Sequence, residues 1–231
     1  MEFIKHHHKL LNDHTRFIIS GAGFNPNFVK PKPIGIGAHH FVYLYTPQEQ
    51  DQLVIKIPHR RILGLPLTIE EETKYNNLVA QYLPDFYVPT AVINTLAGYC
   101  IASKYIEGRY LSTRDFQNKD ILEQFMRLIK GTQQLFLEHG MMIDFIGLNG
   151  AVDCFNPKSI LGNKPIRFSN IILSNNNLRL VGHNLIPLKD PQPFVESVKC
   201  TSVFLFNQFV IKHYCGINIT GDKTNTKQRQ S

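Results

Sequence analysis

A lysine in the middle of an apolar strand is the first residue of this sequence that asks for chemistry. Leu53-Val54-Ile55-Lys56-Ile57 carries Lys56 into desolvated surroundings, where an ammonium is costly unless an anion stands beside it. The partner is expected from the helical stretch that follows, which opens with Glu70, Glu71 and Glu72. Glu72 shares a helix face with Asn76 and Val79 and is the carboxylate best placed to turn inward, with Glu71 next. Acidic residues in a first turn would equally serve the helix dipole. Upstream, Ile34-Gly35-Ile36-Gly37-Ala38-His39-His40-Phe41-Val42 sets two glycines ahead of a strand. Glycine lets backbone N–H groups approach phosphate oxygens, so Gly35 and Gly37 are candidate phosphate contacts. A Gly-x-Gly alone is also an ordinary hairpin turn, and Lys56 downstream is what gives it weight.

The elements that must position these residues come in two kinds. From Ile34 to Ile57 the pattern is β, with Phe41 to Tyr45 and Leu53 to Ile57 as strands around a turn at Pro47 to Gln52. Glu70 to Leu83 reads as a helix stopped by Pro84-Asp85, and Val88 to Ile93 and Tyr99 to Lys104 as two further strands around Gly98. The period then changes. Lys119 to Glu138 carries Ile121, Leu122, Phe125, Leu128, Ile129, Thr132, Leu135 and Phe136, the 3.6-residue stripe of a core-facing helix closed by His139-Gly140. Residues 145–166 are irregular, a hairpin spans 170–181 with its turn at Ser174 to Asn177, and Phe194 to Tyr214 reads as a helix whose middle, Val203 to Phe206, is apolar nearly all round and hence buried. The expected division is an N-terminal extension over 1–30, a small β-rich lobe with one helix over 31–107, a mainly helical lobe over 108–220 and a polar, disordered tail over 221–231.

A second set of residues completes the pattern. Ser169-Asn170-Ile171-Ile172-Leu173 opens the hairpin, and Gly182-His183-Asn184 ends it. Earlier, Glu138-His139-Gly140-Met141-Met142-Ile143-Asp144-Phe145 places an acid after a Gly-hydrophobic run. In this order, glycine loop, strand lysine, acidic helix, long helix, Asp, Asn and closing strand, the chain from Ile34 to Asn184 resembles the protein-kinase-like superfamily. The resemblance implies an α+β, two-lobed protein-kinase-like fold with a reduced C-terminal lobe. It implies ATP and Mg²⁺ as ligands, with Lys56 on the phosphates and paired to Glu72, Asn170 as a metal ligand and Asp144 as catalytic base. The adenine would lie against a hinge from Ala102 to Gly108, with Ala102, Lys104 and Leu173 near the base. The family's closing strand ends in Asp-Phe-Gly, whose Asp binds Mg²⁺; here Gly182 stands at that position and the carboxylate is gone. His183 is a poor substitute for a hard cation. Asn184 and Asp190 are the remaining candidates to reach the metal. His40 replaces the third glycine, and an insertion of roughly 20 residues must loop out between Asp144 and Asn170. Ser169-Asn170 could merely start a turn, Asp144 merely cap one, and Asp153 is a second, weaker candidate base.

Three readings follow. The first is a nucleotide-binding pseudokinase or weak atypical kinase. The second is an active small phosphotransferase using Asp144 on a small-molecule, lipid or protein acceptor, with 145–166 shaping the acceptor pocket. The third is a basic binding module without nucleotide. With 43% hydrophobic and 19% charged residues the chain is globular rather than disordered. A net charge of +7 would suit anionic partners, but no Arg/Lys face interleaved with aromatics argues for nucleic acid. His6-His7-His8 between lysines reads as a solvated basic arm. Four cysteines without regular spacing read as reduced thiols, and the absence of an apolar leader or spanning stretch leads to an expected cytoplasmic location without a transmembrane segment.

Overall fold

The computed structural model describes residues 11–37, 40–48, 50–58, 67–147, 153, 165–181, 185–188 and 194–216. The chain is mixed α+β and divides into two compact units, residues 1–76 with 88–106, and residues 77–87 with 107–231. The histidine run, the tail, Gly182 to Asn184, Asp190 and most of 145–166 lie outside the described residues.

The first unit is built on a five-stranded antiparallel sheet of β1 (Gly35–Ile36), β2 (His40–Tyr45), β3 (Leu53–Pro58), β4 (Thr90–Thr95) and β5 (Gly98–Lys104), in the order β1-β2-β3-β5-β4. β3 is therefore the central strand. Side chains alternate across a strand, so directly paired residues share a face. Val42 opposes Lys56, and Lys56 opposes Ile101, which places His40, Lys56, Tyr99 and Ile101 on one face. Tyr43, Tyr45, Ile55, Ile57, Cys100 and Ala102 form the other.

That second face is covered by a helix within the expected N-terminal extension, α1 (Asp13–Gly21), capped by Asn12, whose side chain accepts from the Thr15 N–H at 2.8 Å. Leu11, Ile18, Ile19 and Val29 are buried in one core with Tyr43, Tyr45, Ile55, Ile57 and Cys100. Phe24 packs its ring edge-on to Tyr45 at 5.2 Å. Residues 11–30 are thus part of the first unit rather than an appendage. Their mean polarity concealed a few apolar residues, because one buried stripe is all that a short covering helix needs.

Between β3 and β4 runs α2 (Ile69–Tyr82). Residues 69–76 of this helix belong to the first unit and 77–82 to the second, so the lobe boundary expected only at 107 is also crossed inside the helix. Thr68 and Glu71 form a capping box at its start, the Thr68 N–H donating to Glu71 Oε2 at 2.8 Å and the Glu71 N–H to Thr68 Oγ1 at 3.2 Å.

The second unit is richer in strands than its periodicity suggested. A three-stranded antiparallel sheet combines β6 (Arg109–Ser112), β8 (Arg167–Ser174) and β9 (Asn177–Leu180), and β7 (Met141–Ile143) pairs with β10 (Leu185–Pro187). Short strands such as Met141–Ile143 are buried throughout and carry no alternation to read. The β8–β9 turn places Asn175 and Asn176 at φ +48 and +60, the left-handed pair of a tight hairpin that asparagine tolerates. α3 (Lys119–His139) buries Ile121, Phe125, Leu128, Ile129, Thr132 and Leu135 and ends on Gly140 at φ +66. Phe125, Phe145 and Phe168 are completely buried and stack edge-on, with centroids at 5.1 Å for Phe125–Phe168 and 5.9 Å for Phe125–Phe145.

α4 (Phe194–Cys215) corrects another expectation. Cys200, Asn207, Val210 and Ile211 are buried, whereas Leu205 and Phe209 are 58% and 61% exposed. One side of an all-apolar helix is enough to dock it. No helix among the described residues is long and apolar enough to cross a membrane.

Truncating Ile19 to alanine removes a fully buried side chain from the shared core. The expected cost is about 2–5 kcal/mol of unfolding free energy in urea; an unchanged midpoint would show that α1 contributes nothing to the first unit.

Candidate functional site

In the first unit the candidate residues converge on the Lys56 face of the sheet. Lys56 lies in the central strand, where burial pushes its ammonium down to about 8 although the Glu72 carboxylate pulls upward. The residue keeps partial exposure along its length, so the lowering reflects protein packed around it rather than complete enclosure. Of the three consecutive glutamates, Glu71 is committed to the helix cap, and only Glu72 turns into the protein, 6% exposed. The dipole role and the ion-pair role therefore fall to different residues.

Glu72 has partners that the sequence did not point to. His40 Nε2 lies 3.1 Å from Glu72 Oε1, and both side chains are about nine-tenths buried. The contact is an ion pair only when the imidazole carries a proton. Tyr99 Oη donates to the Leu67 carbonyl at 3.0 Å and sits 3.4 Å from the same Glu72 oxygen. In the sequence His40 was only the residue standing at the third glycine position. The available signal was the strand period, which puts His40 two residues from Val42 on the Lys56 face.

The glycines are placed but not conformationally demanding. Gly37 N–H donates to the His40 carbonyl at 2.9 Å, closing the β1–β2 hairpin, and Ala38 and His39 between them lie outside the described residues. Neither Gly35 nor Gly37 has positive φ, and a Cβ would make only ordinary 3.6 Å contacts at each. Ala102 and Lys104 depart from the expected hinge role. Both belong to the face opposite Lys56, by strand alternation, and Lys104 is exposed in an ion pair with Asp51 at 2.7 Å. Leu173 lies in the second unit on β8, opposite Arg109 and Leu178.

In the second unit Asp144 and Asn170 meet although they are 26 positions apart. Asn170 Nδ2 donates to the Asp144 carbonyl at 2.6 Å, and Ser169 holds the Ile146 carbonyl through both its N–H (3.0 Å) and its hydroxyl (2.7 Å). Asp144 follows β7 directly and caps the next turn, its Oδ1 accepting from the Gly147 N–H at 2.9 Å. Gly147 stands at φ +62, and a Cβ there would collide with Ser169 Oγ, so this glycine is required. The residue that sequence reasoning missed is Asn207 on α4. Completely buried, it accepts from the Phe145 and Ile146 N–H groups at 3.0 and 3.3 Å and donates to Asp144 Oδ1 at 3.2 Å. A lone asparagine in an apolar helix carries this signal: a buried amide must be satisfied.

Asp153, 1% exposed, is held by Arg167 through Nε at 2.6 Å and an Nη at 3.1 Å, which makes it an ion-pair residue. The Cys100 and Cys215 thiols are pushed up to about 11 and about 12 by burial, consistent with packing. A shallow depression of about 480 Å³ along α3, lined by Asp120, Glu123, Arg127 and Lys130, touches none of the candidate residues.

A Mg²⁺ ion finds little to hold it. Asn170 offers one neutral amide oxygen, Asp144 Oδ1 is already taken by two N–H donors, and no group of three His, Cys, Asp or Glu side chains suited to a metal occurs among the described residues. The Gly182 position, where a metal carboxylate was expected to be missing, lies outside the described residues. No family model matches the chain, and no curated protein matches it either.

Two consequences are measurable. Lys56 has a folded-state value below its ordinary 10.5, so its charge opposes folding below about 8, and that penalty fades as pH rises toward 10.5. Lys56→Met is accordingly expected to gain about 1–3 kcal/mol at pH 7, the gain shrinking above pH 8; equal stability across that range would contradict it. Asn207→Ala strands two buried N–H groups and should lose about 2–4 kcal/mol in urea unfolding, whereas a loss below 1 kcal/mol would mean that the 144–147 loop is held by other means.

Proposed function

We propose that this chain is a kinase-like nucleotide-binding protein of degenerate type, a pseudokinase or weak atypical kinase with a two-lobed kinase-like fold. The observation that carries the reading is Lys56, a desolvated cation on the central strand of a five-stranded antiparallel sheet, turned toward Glu72 from the helix between the third and fourth strands. A desolvated ammonium of this kind favours a phosphate-bearing ligand, because an added anion offsets part of the cost of burying the charge. In this reading Lys56 contacts the phosphates of ATP, Glu72 orients it, and Gly35 and Gly37 leave backbone room beside them. Gly182 at the position of the family's metal-binding Asp supports the degenerate assignment, since electrostatic stabilisation at a transferring phosphoryl group is worth about 3–4 kcal/mol for each well-placed contributor.

A specific observation favours a second reading, an active small phosphotransferase. Asp144 and Asn170 are brought together across a long insertion, and Asp144 is oriented by Gly147 and Asn207. A carboxylate fixed in this way could accept the proton of an acceptor hydroxyl.

Thermal-shift measurement with ATP, with and without Mg²⁺, tests the first reading. At a concentration 100-fold above Kd, ATP should stabilise the wild type by about 2.7 kcal/mol, and Lys56→Ala should lose that effect. No stabilisation under any metal condition would overturn both readings and leave a basic binding module without nucleotide. Single-turnover transfer separates the two: a measurable rate that falls at least about 100-fold in Asp144→Asn identifies an enzyme, and no transfer in the wild type identifies a pseudokinase.

A further inference from the structure

α4 carries large apolar side chains on two sides, and only one of them docks it. Cys200, Asn207, Val210 and Ile211 are buried, and Asn207 fixes the orientation through the Phe145 and Ile146 N–H groups. Leu205 and Phe209 stand one turn apart on the other side, both more than half exposed. Thr201 and Ser202 precede them and Lys212 and His213 follow, all four exposed. The Phe209 ring is stacked on the His213 imidazole, with centroids 6.0 Å apart and an interplanar angle of 12°. A basic last turn suits the helix dipole by itself. Single apolar residues on a surface are ordinary, but these two share one helix face beside that turn.

The charge in this part of the chain has one sign. From Ser197 to Gly221 there is no Asp or Glu, and from Ser197 to Ser231 Lys199, Lys212, Lys223, Lys227 and Arg229 stand against Asp222 alone. Five positive residues less one negative leave +4, more than half of the net +7 of the whole chain. A partner that takes both features presents hydrocarbon and negative charge together, which is what an anionic lipid surface offers. A nucleic acid would use the cations and leave Leu205 and Phe209 in water. A second copy of the chain would bring the same positive charge, and two partly exposed side chains from each copy bury far less than the roughly 1,200 Å² of a stable interface. We infer that the exposed side of α4 is a membrane-docking face, on which Leu205 and Phe209 enter the headgroup boundary of an anionic bilayer and Lys212 meets its phosphates. The helix lies along the surface in this arrangement, in keeping with the lack of any described helix long and apolar enough to cross a membrane. Nothing in this face depends on Lys56 or on a nucleotide.

Co-sedimentation of the full chain with vesicles is the test, using phosphatidylcholine alone and phosphatidylcholine with about 30% phosphatidylserine, in about 0.1 M salt. The wild type should pellet with the anionic vesicles and stay in solution with the neutral ones. Raising salt to about 1 M should weaken the binding, because the Debye length shrinks from about 10 Å to about 3 Å. The double variant Leu205→Gln with Phe209→Gln should lower the partition at least about tenfold, and Lys212→Gln should lower it about fivefold. All three positions are exposed and glutamine is a good helix former, so the urea midpoints should match that of the wild type. No pelleting with anionic vesicles, or equal pelleting with neutral ones, overturns the inference. Pelleting that the double variant leaves unchanged does so too, since it would be charge attraction through other residues. Self-association that the double variant abolishes, in a wild type that ignores vesicles, would give the face to a second copy and overturn it as well.

Discussion

The first unit is organised around keeping an ammonium where water would not leave it. Lys56 sits on the central strand, and its lowered proton affinity means that its neighbours desolvate the charge more than Glu72 restores it. Several features exist in relation to that imbalance. Glu71, not Glu72, caps α2, which frees the next glutamate to turn inward. α1 and the segment after it cover the opposite sheet face, so the hydrophobic core and the charged cluster are separated by the sheet itself. A desolvated charge in a sheet centre is the physical ground on which the proposed ligand site rests.

The second unit solves a different problem, that of fixing a loop whose backbone is buried. Phe145 anchors the loop in an aromatic core, while Asn207, Ser169 and Asn170 satisfy its N–H and carbonyl groups from α4 and β8. Asp144 gains its orientation from this arrangement rather than from any single neighbour. These bonds engage the Asn170 amide N–H and one of the two Asp144 carboxylate oxygens.

Much of the scaffold was legible because its signals are local. The strand composition of Phe41 to Tyr45 and Leu53 to Ile57, the stripe from Ile121 to Leu135 and the asparagine turn at 175–176 all correspond to observed elements within a residue or two. The pairing of Lys56 with a helix glutamate came from the family resemblance, and the helix period singled out Glu72 among the three. What stayed hidden depends on tertiary choices. α1 gives little signal because its polar average masks a single buried stripe, and the hinge resemblance says nothing about the strand parity that sets Ala102 on the face opposite Lys56. Leu205 was expected inside, whereas α4 docks by only one side. His40 and Asn207, the two residues that hold the candidate carboxylates, gave no local signal beyond being polar in apolar surroundings. Their meaning appears only when the chain brings Glu72 and Asp144 to them.

The central claim is the electrostatic state of Lys56, and side-chain NMR measures it directly. With the lysine ε-methylene resonances assigned, the Lys56 ammonium is expected to titrate near 8 in the ligand-free protein, and lower still in Glu72→Gln, where the one raising influence is gone. A midpoint at the ordinary 10.5, unmoved by Glu72→Gln, would contradict both the desolvation and the pairing on which the proposed nucleotide site rests.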